Sequence, residues 1–177
     1  MAHQTIQFRL CFKPLDYETL EDFLITQQEE LELSDREGAK RIIDLSFEKG
    51  GVIGGFDHLG QMQAMFGFFF GDPSEGYADK QLMYVYVAAI SKPYRLSRTF
   101  LKGMAAILQE ATCLNIDQFR MHALVSDPYI NRLYSKFSSP LGESKYLRGR
   151  YMTAYGGSVD DVFSKIGPNL QSMLEDS

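Results

Sequence analysis

The 177-residue chain has no tryptophan, only two cysteines, three histidines and six prolines. Each shortage excludes something. Cys11 and Cys113 lack C-x-x-C spacing, so no zinc ribbon or dithiol motif is expected, and both read as reduced apolar cysteines. His3, His58 and His122 have no carboxylate or metal-ligand partner at a useful spacing, so no metal site is expected. No stretch approaches the ~20 apolar residues that a membrane helix needs. The N-terminus carries no apolar signal core, and the expected location is the cytoplasm. Positive charge is also in short supply: 18 Lys and Arg against 23 Asp and Glu leave a net charge of −5. Nucleic-acid footprints are usually basic, so no nucleic-acid partner is expected. An acidic chain suits a cationic small molecule or a basic peptide. Walker loops and serine nucleophile elbows are missing. Gly50-Gly51 and Gly54-Gly55 precede a hairpin and do not open a helix, so they are strand and turn glycines.

What is present fits one domain over residues 1–177. Hydrophobic content is 45%, and no repeat, low-complexity tract or linker interrupts it. The chain is organised around the stretch from Leu82 to Thr112. It opens as LMYVYVAAI, an uncharged β-branched run that suits a buried strand. A short basic segment, Ser91 to Thr99, follows. Phe100, Leu101, Met104, Ala105, Leu108 and Ala111 then mark one face of a helix. A strand feeding a basic loop and a helix start is a general anion-binding device, because free N–H groups and the helix dipole converge there.

Around it the order is strand, two helices, hairpin, strand, helix, strand, helix, strand. Thr5 to Phe12 alternates as a half-buried strand. Asp16 is the expected cap of a helix carrying Tyr17, Leu20, Phe23 and Leu24. Ser34 with Glu37 reads as a capping box opening a second helix, stopped at Lys49-Gly50-Gly51. Gly51 to Phe56 and Gln61 to Phe70 form a hairpin about Asp57-His58-Leu59-Gly60. Asp117 to Val125 is a strand. Asp127 caps a short helix with Pro128 at its first position and Tyr129, Ile130, Leu133, Tyr134 and Phe137 along it. Ser138 to Gly142 breaks it. Lys145 to Tyr155 holds one strand, or two with a bend at Gly149, and Val159 to Ile166 is a weak helical segment. This order implies an α/β fold with a mixed central β-sheet of six to seven strands and about four helices.

From Ile6 to Tyr155 the order resembles the GNAT superfamily of acyl-CoA-dependent N-acyltransferases. Pro93-Tyr94-Arg95 resembles the Pro-x-Tyr-Arg entry to that family's pyrophosphate loop, one residue shorter. Asn131 with Tyr134-Ser135-Lys136-Phe137 is similar to its Asn…Tyr-x-Lys-x-Gly-Phe segment. Arg98 and Phe100 stand where the family loop has glycines, which narrows the cradle. A guanidinium at Arg98 can compensate, while Phe100 is expected to pack inward.

The resemblance implies acetyl-CoA as donor and an amine acceptor, a small molecule or a peptide. It implies that backbone groups near Val87, Ala88, Ala89 and Ile90 bond the pantetheine arm and the thioester. It implies that N–H groups of Leu96 to Thr99, the Ser97 and Thr99 hydroxyls, and Arg95 and Arg98 hold the pyrophosphate. Asn131 would contact the arm. Tyr134 is the candidate acid for the leaving thiolate, because an ordinary tyrosine pKa near 10 makes that transfer roughly balanced. The base stays open among Glu75, Asp79, Tyr84, Tyr86 and a water chain. Each assignment has a plainer competitor: core alanines, solvated cations, a packed tyrosine. Two other functions stay open. One is a catalytically silent binding or regulatory module with the same fold. The other is an interaction protein that forms a homodimer through exposed aromatics such as Phe66, Phe68, Phe69 and Phe70.

Overall fold

The computed structural model describes residues 5–95, 97–147 and 149–175, without the side chains of 97 and 169–175. The elements run β1 (Gln7–Leu10), α1 (Tyr17–Thr26), α2 (Arg36–Lys49), β2 (Gly50–Phe56), β3 (Met62–Phe70), β4 (Leu82–Ile90), α3 (Ser97–Cys113), β5 (Gln118–Leu124), α4 (Pro128–Ser135), β6 (Ser139–Pro140), β7 (Lys145–Leu147), β8 (Arg150–Ser158) and α5 (Val159–Glu175). The strands form a mixed sheet in the order β1-β2-β3-β4-β5-β8-β6, with β7 paired to β8. Among the described residues that is eight strands and five α-helices, more than the sequence suggests. The additions are the two-residue β6 and a last helix running beyond Ile166 through Pro168, while the β7–β8 hairpin splits at Gly149 (φ +80°), where the sequence allows a bend. The chain divides into two compact units, residues 1–69 with 86–107 and residues 70–85 with 108–177.

In the first unit β1, β2 and β3 are antiparallel, and β3 is buried on both faces. Phe66, Phe68 and Phe69 are buried and Phe70 is half-buried, so these aromatics are sheet packing and offer no dimer face. Leu20, Phe23 and Leu24 of α1 and Ala39 and Ile43 of α2 bury against Val52, Met65, Val87 and Ala89. The 3.6-residue spacing of apolar side chains on both helices makes that contact.

Both helix starts differ from expectation. Asp16 makes no cap bond; its carboxylate accepts both prongs of Arg9 (2.9 and 3.1 Å) and the Phe12 N–H. That fork keeps the Asp16 carboxyl below the usual range. Asp35, not Ser34, caps α2, accepting from the Gly38 N–H at 2.9 Å. Both residue types can cap, and the chain enters the helix one residue later than the capping-box spacing implies.

In the second unit β4 runs parallel to β5 from Leu82↔Gln118 to Tyr84↔Arg120. β8 is antiparallel to β5 over seven pairs, Gln118↔Ser158 to Leu124↔Met152. Asp127 caps α4 through the Ile130 N–H, with Pro128 at the first position, as the sequence implies. Among the described residues no helix is long and apolar enough to cross a membrane.

Candidate active site

Two groups of candidate residues fall in separate units. In the first unit Val87 and Ala89 are core side chains, 9% and 5% exposed, while Ala88 and Ile90 are half-buried. Alternation along a strand sends the two pairs to opposite faces. A short 3₁₀ turn, Lys92–Tyr94, follows β4. Arg95 then does something spacing alone does not reveal. Its Nε donates to the Ile90 carbonyl (2.8 Å), one terminal nitrogen to Glu30 Oε1 (2.9 Å) and the other to Gln27 Oε1 (2.9 Å). The guanidinium ties the loop to the segment after α1. Leu96 lies outside the described residues, as does the Ser97 side chain.

Past it, α3 begins. Thr99 and Phe100 are both 8% exposed, and Phe100 packs at 6.1 Å from the Phe66 ring, inward as expected. Arg98 is half-buried and Lys102 sits one turn later on the same helix. Burial, and then the charge of Arg98, lower the Lys102 pKa. Among the described residues neither cation has an ion-pair partner. Two cations at i and i+4 repel, and a helix start brings N–H groups without intrahelical acceptors and a positive dipole end. Lys102 is the residue sequence reasoning missed; its i+4 spacing from Arg98 was the available signal.

In the second unit Asn131 donates to the Leu124 carbonyl (2.8 Å) and the Asp127 carbonyl (2.7 Å), and accepts from the Tyr155 hydroxyl (2.7 Å). It therefore clasps the end of β5 to α4 and β8. Tyr134 is 9% exposed, edge-on to Tyr155 at 5.7 Å and tilted against Phe137 at 6.2 Å. Burial, then the charge of Asp127, push its pKa well above that of an ordinary tyrosine. It stays a neutral phenol at any physiological pH, so the expected balanced transfer to a thiolate becomes an uphill one.

His122, without a partner in sequence spacing, has one in the fold. Its Nδ1 is 2.6 Å from the Tyr84 hydroxyl, 38 positions away, with the rings 5.2 Å apart. Asp72 and Glu75 each meet Arg120 at 3.1 Å. Burial works to raise the Asp72 pKa, but Ser74, Arg120 and the charge of His122 hold it low. His58 is exposed in the β2–β3 turn. Burial raises the Cys11 thiol to about 12, which makes it inert, while Cys113 is exposed. Among the described residues no group of three His, Cys, Asp or Glu could hold a metal ion.

No protein-family profile matches the sequence. No curated protein sequence matches it either. Solved structures do. Ribosomal-protein-S5-alanine acetyltransferase from Vibrio fischeri superposes with a TM-score of 0.68 at 11% identity, over 91% of this chain and 97% of that one. A ribosomal L7/L12 alpha-N-protein acetyltransferase in complex with coenzyme A gives 0.66 at 12% identity, over 91% and 98%. An acetyltransferase of the GNAT family from Staphylococcus aureus Mu50 gives 0.59 at 14% identity, over 88% and 99%. At such identities the likeness is one of fold, and the chain has the GNAT acetyltransferase fold.

Proposed function

We propose that the protein is an N-acyltransferase that moves an acetyl group from acetyl-CoA to an amine, on a small molecule or a peptide. The observation carrying this reading is the cation pair at the start of α3. Arg98 and Lys102 face each other's charge with no carboxylate to relieve it among the described residues. A diphosphate relieves it. A guanidinium and an ammonium one turn apart at a helix start make a charge-assisted anion site that does not need glycines.

In this reading Arg98, Lys102 and the N–H groups of residues 96–99 hold the diphosphate, with Thr99 and Ser97 as further donors. Arg95 serves by fixing the loop through Glu30 and Gln27. The backbone of Val87 to Ile90 bonds the pantetheine arm and polarises the thioester carbonyl. Asn131 acts through its clasp on β5 and α4. Tyr134 offers the departing sulfur a hydrogen bond; its raised pKa argues against early loss of its proton. The whole chain works as one domain in the cytoplasm, without metal, nucleic acid or membrane.

A silent binding module is the second reading. Arg95 and Asn131, both expected to contact the ligand, already spend their polar groups within the fold. Thiol release from acetyl-CoA, measured over a panel of amines, separates the two. Turnover abolished by Tyr134→Phe supports the transferase. Binding without turnover supports the module.

A further inference from the structure

We propose that Tyr84 and His122 form the proton relay that deprotonates the acceptor amine, which rests on the transferase reading above. An alkylammonium cannot attack a thioester until it loses a proton, and the candidates for that proton are few. His3 lies outside the described residues and His58 is exposed in a turn. Asp72 and Glu75 both pair with Arg120, and Asp72 is held low, so the Asp72 carboxylate is a weak base. His122 differs: it sits within β5, half-buried, with its imidazole 2.6 Å from a phenol.

The register makes the pair. Tyr84 of β4 is the Cα partner of Arg120, so the two share a face, and His122 follows two positions on along β5. Tyr84 meets the imidazole from β4, and the Asp72 carboxylate in the loop after β3 interacts with it by charge. Arg120, on the same strand as His122, holds Asp72 and Glu75.

In the tautomer with hydrogen on Nε2, the Tyr84 hydroxyl donates to Nδ1. The ammonium proton passes to the Tyr84 oxygen as the tyrosine's own proton passes to Nδ1. The freed lone pair forms the C–N bond, the C–S bond breaks, and the second proton shed by the acylated nitrogen passes to the leaving thiolate, so that amide, free thiol and one released proton balance. The imidazolium returns its proton to solvent. Tyr84 touches the acceptor; His122 acts through it.

The test uses the full chain with labelled histidine, acetyl-CoA, and spermidine, tyramine and an N-terminal alanine peptide as acceptors. The NMR signal of His122 Nδ1 is expected to report the bond to the Tyr84 hydroxyl and to move in Tyr84→Phe. In His122→Gln, kcat/KM for the fastest acceptor is expected to fall about 100-fold, with acetyl-CoA affinity kept within about twofold. A His122 Nδ1 signal unchanged in Tyr84→Phe, or a His122→Gln rate within twofold of wild type, overturns the relay alone. No acetyl-CoA binding, or binding without turnover of any acceptor, overturns the transferase reading and the relay with it.

Discussion

Replacing Gly103 with alanine sets two effects against each other. Gly103 lies inside α3, where alanine is favoured over glycine by ~1 kcal/mol in helix propensity. Propensity alone predicts a more stable protein. Packing predicts the reverse. A Cβ at this position overlaps Cε2 and Cζ of the Phe66 ring and meets Cδ2 at 3.0 Å. That ring is fully buried, with Phe8 edge-on at 6.0 Å and Phe100 tilted at 6.1 Å, so it has nowhere to swing. Overpacking of this kind costs roughly 1–3 kcal/mol. The net effect is a loss of up to about 2 kcal/mol, a fall of up to about 4–8 °C in Tm for a chain of this length. Urea unfolding with circular dichroism measures it. Gly103→Ala combined with Phe66→Leu is expected to be less destabilised than the sum of the two, by about 1 kcal/mol. A Gly103→Ala protein more stable than wild type, or strict additivity, refutes the close approach of α3 and β3. The start of α3, and with it the cation pair, would then need another anchor.

Other perturbations test the remaining contacts. Asp35→Ala is expected to lose about 1 kcal/mol in urea unfolding while Ser34→Ala stays within about 0.5, because only Asp35 caps α2. Asn131→Ala takes the Tyr155 hydroxyl's acceptor and one of the two bonds to each carbonyl, while Leu124 keeps the Asp127 N–H and Asp127 keeps the N–H of residue 131; it is expected to cost about 1–2 kcal/mol by the same measurement. Asp16→Asn probes pH. The Arg9 fork depresses the folded pKa, so its stabilisation is present above the unfolded value near ~3.9 and lost as pH falls through the folded one. The stability gap between wild type and Asp16→Asn should hold from pH 7 to 5 and close below about 4; a constant gap counts against the ion pair.

What the sequence made legible was what is local. β4 begins and ends where its uncharged run does, at Leu82 and Ile90, and the Asp127-Pro128 start of α4 is carried by two adjacent residues. Caps were harder, since Asp16, Ser34 and Asp35 are all competent and a tertiary partner decides. Arg9 claimed Asp16. Ser139–Pro140 looked like a breaker because two residues carry no period, yet the fold pairs them with Gly156 and Tyr155. On the face of α3, Ile107 is buried where Ala105 was expected. The candidate site was legible as a stretch, Ser91 to Thr99, but not in its bonding. Arg95 reaches Gln27 and Glu30, 68 and 65 positions away, and His122 reaches Tyr84 across a parallel ladder. Partnerships at such separations depend on register, which no local spacing encodes.

Titration calorimetry of acetyl-CoA into wild type and into an Arg98→Ala, Lys102→Met variant tests the anion site at the start of α3 most directly. The account predicts heat with wild type, weakening with added salt and as pH rises, since Lys102 gives up its proton earlier than an ordinary lysine. It predicts at least about tenfold weaker binding in the variant, the fold intact by circular dichroism. No heat and no thermal shift at millimolar acetyl-CoA, or equal affinity in both proteins, would contradict it.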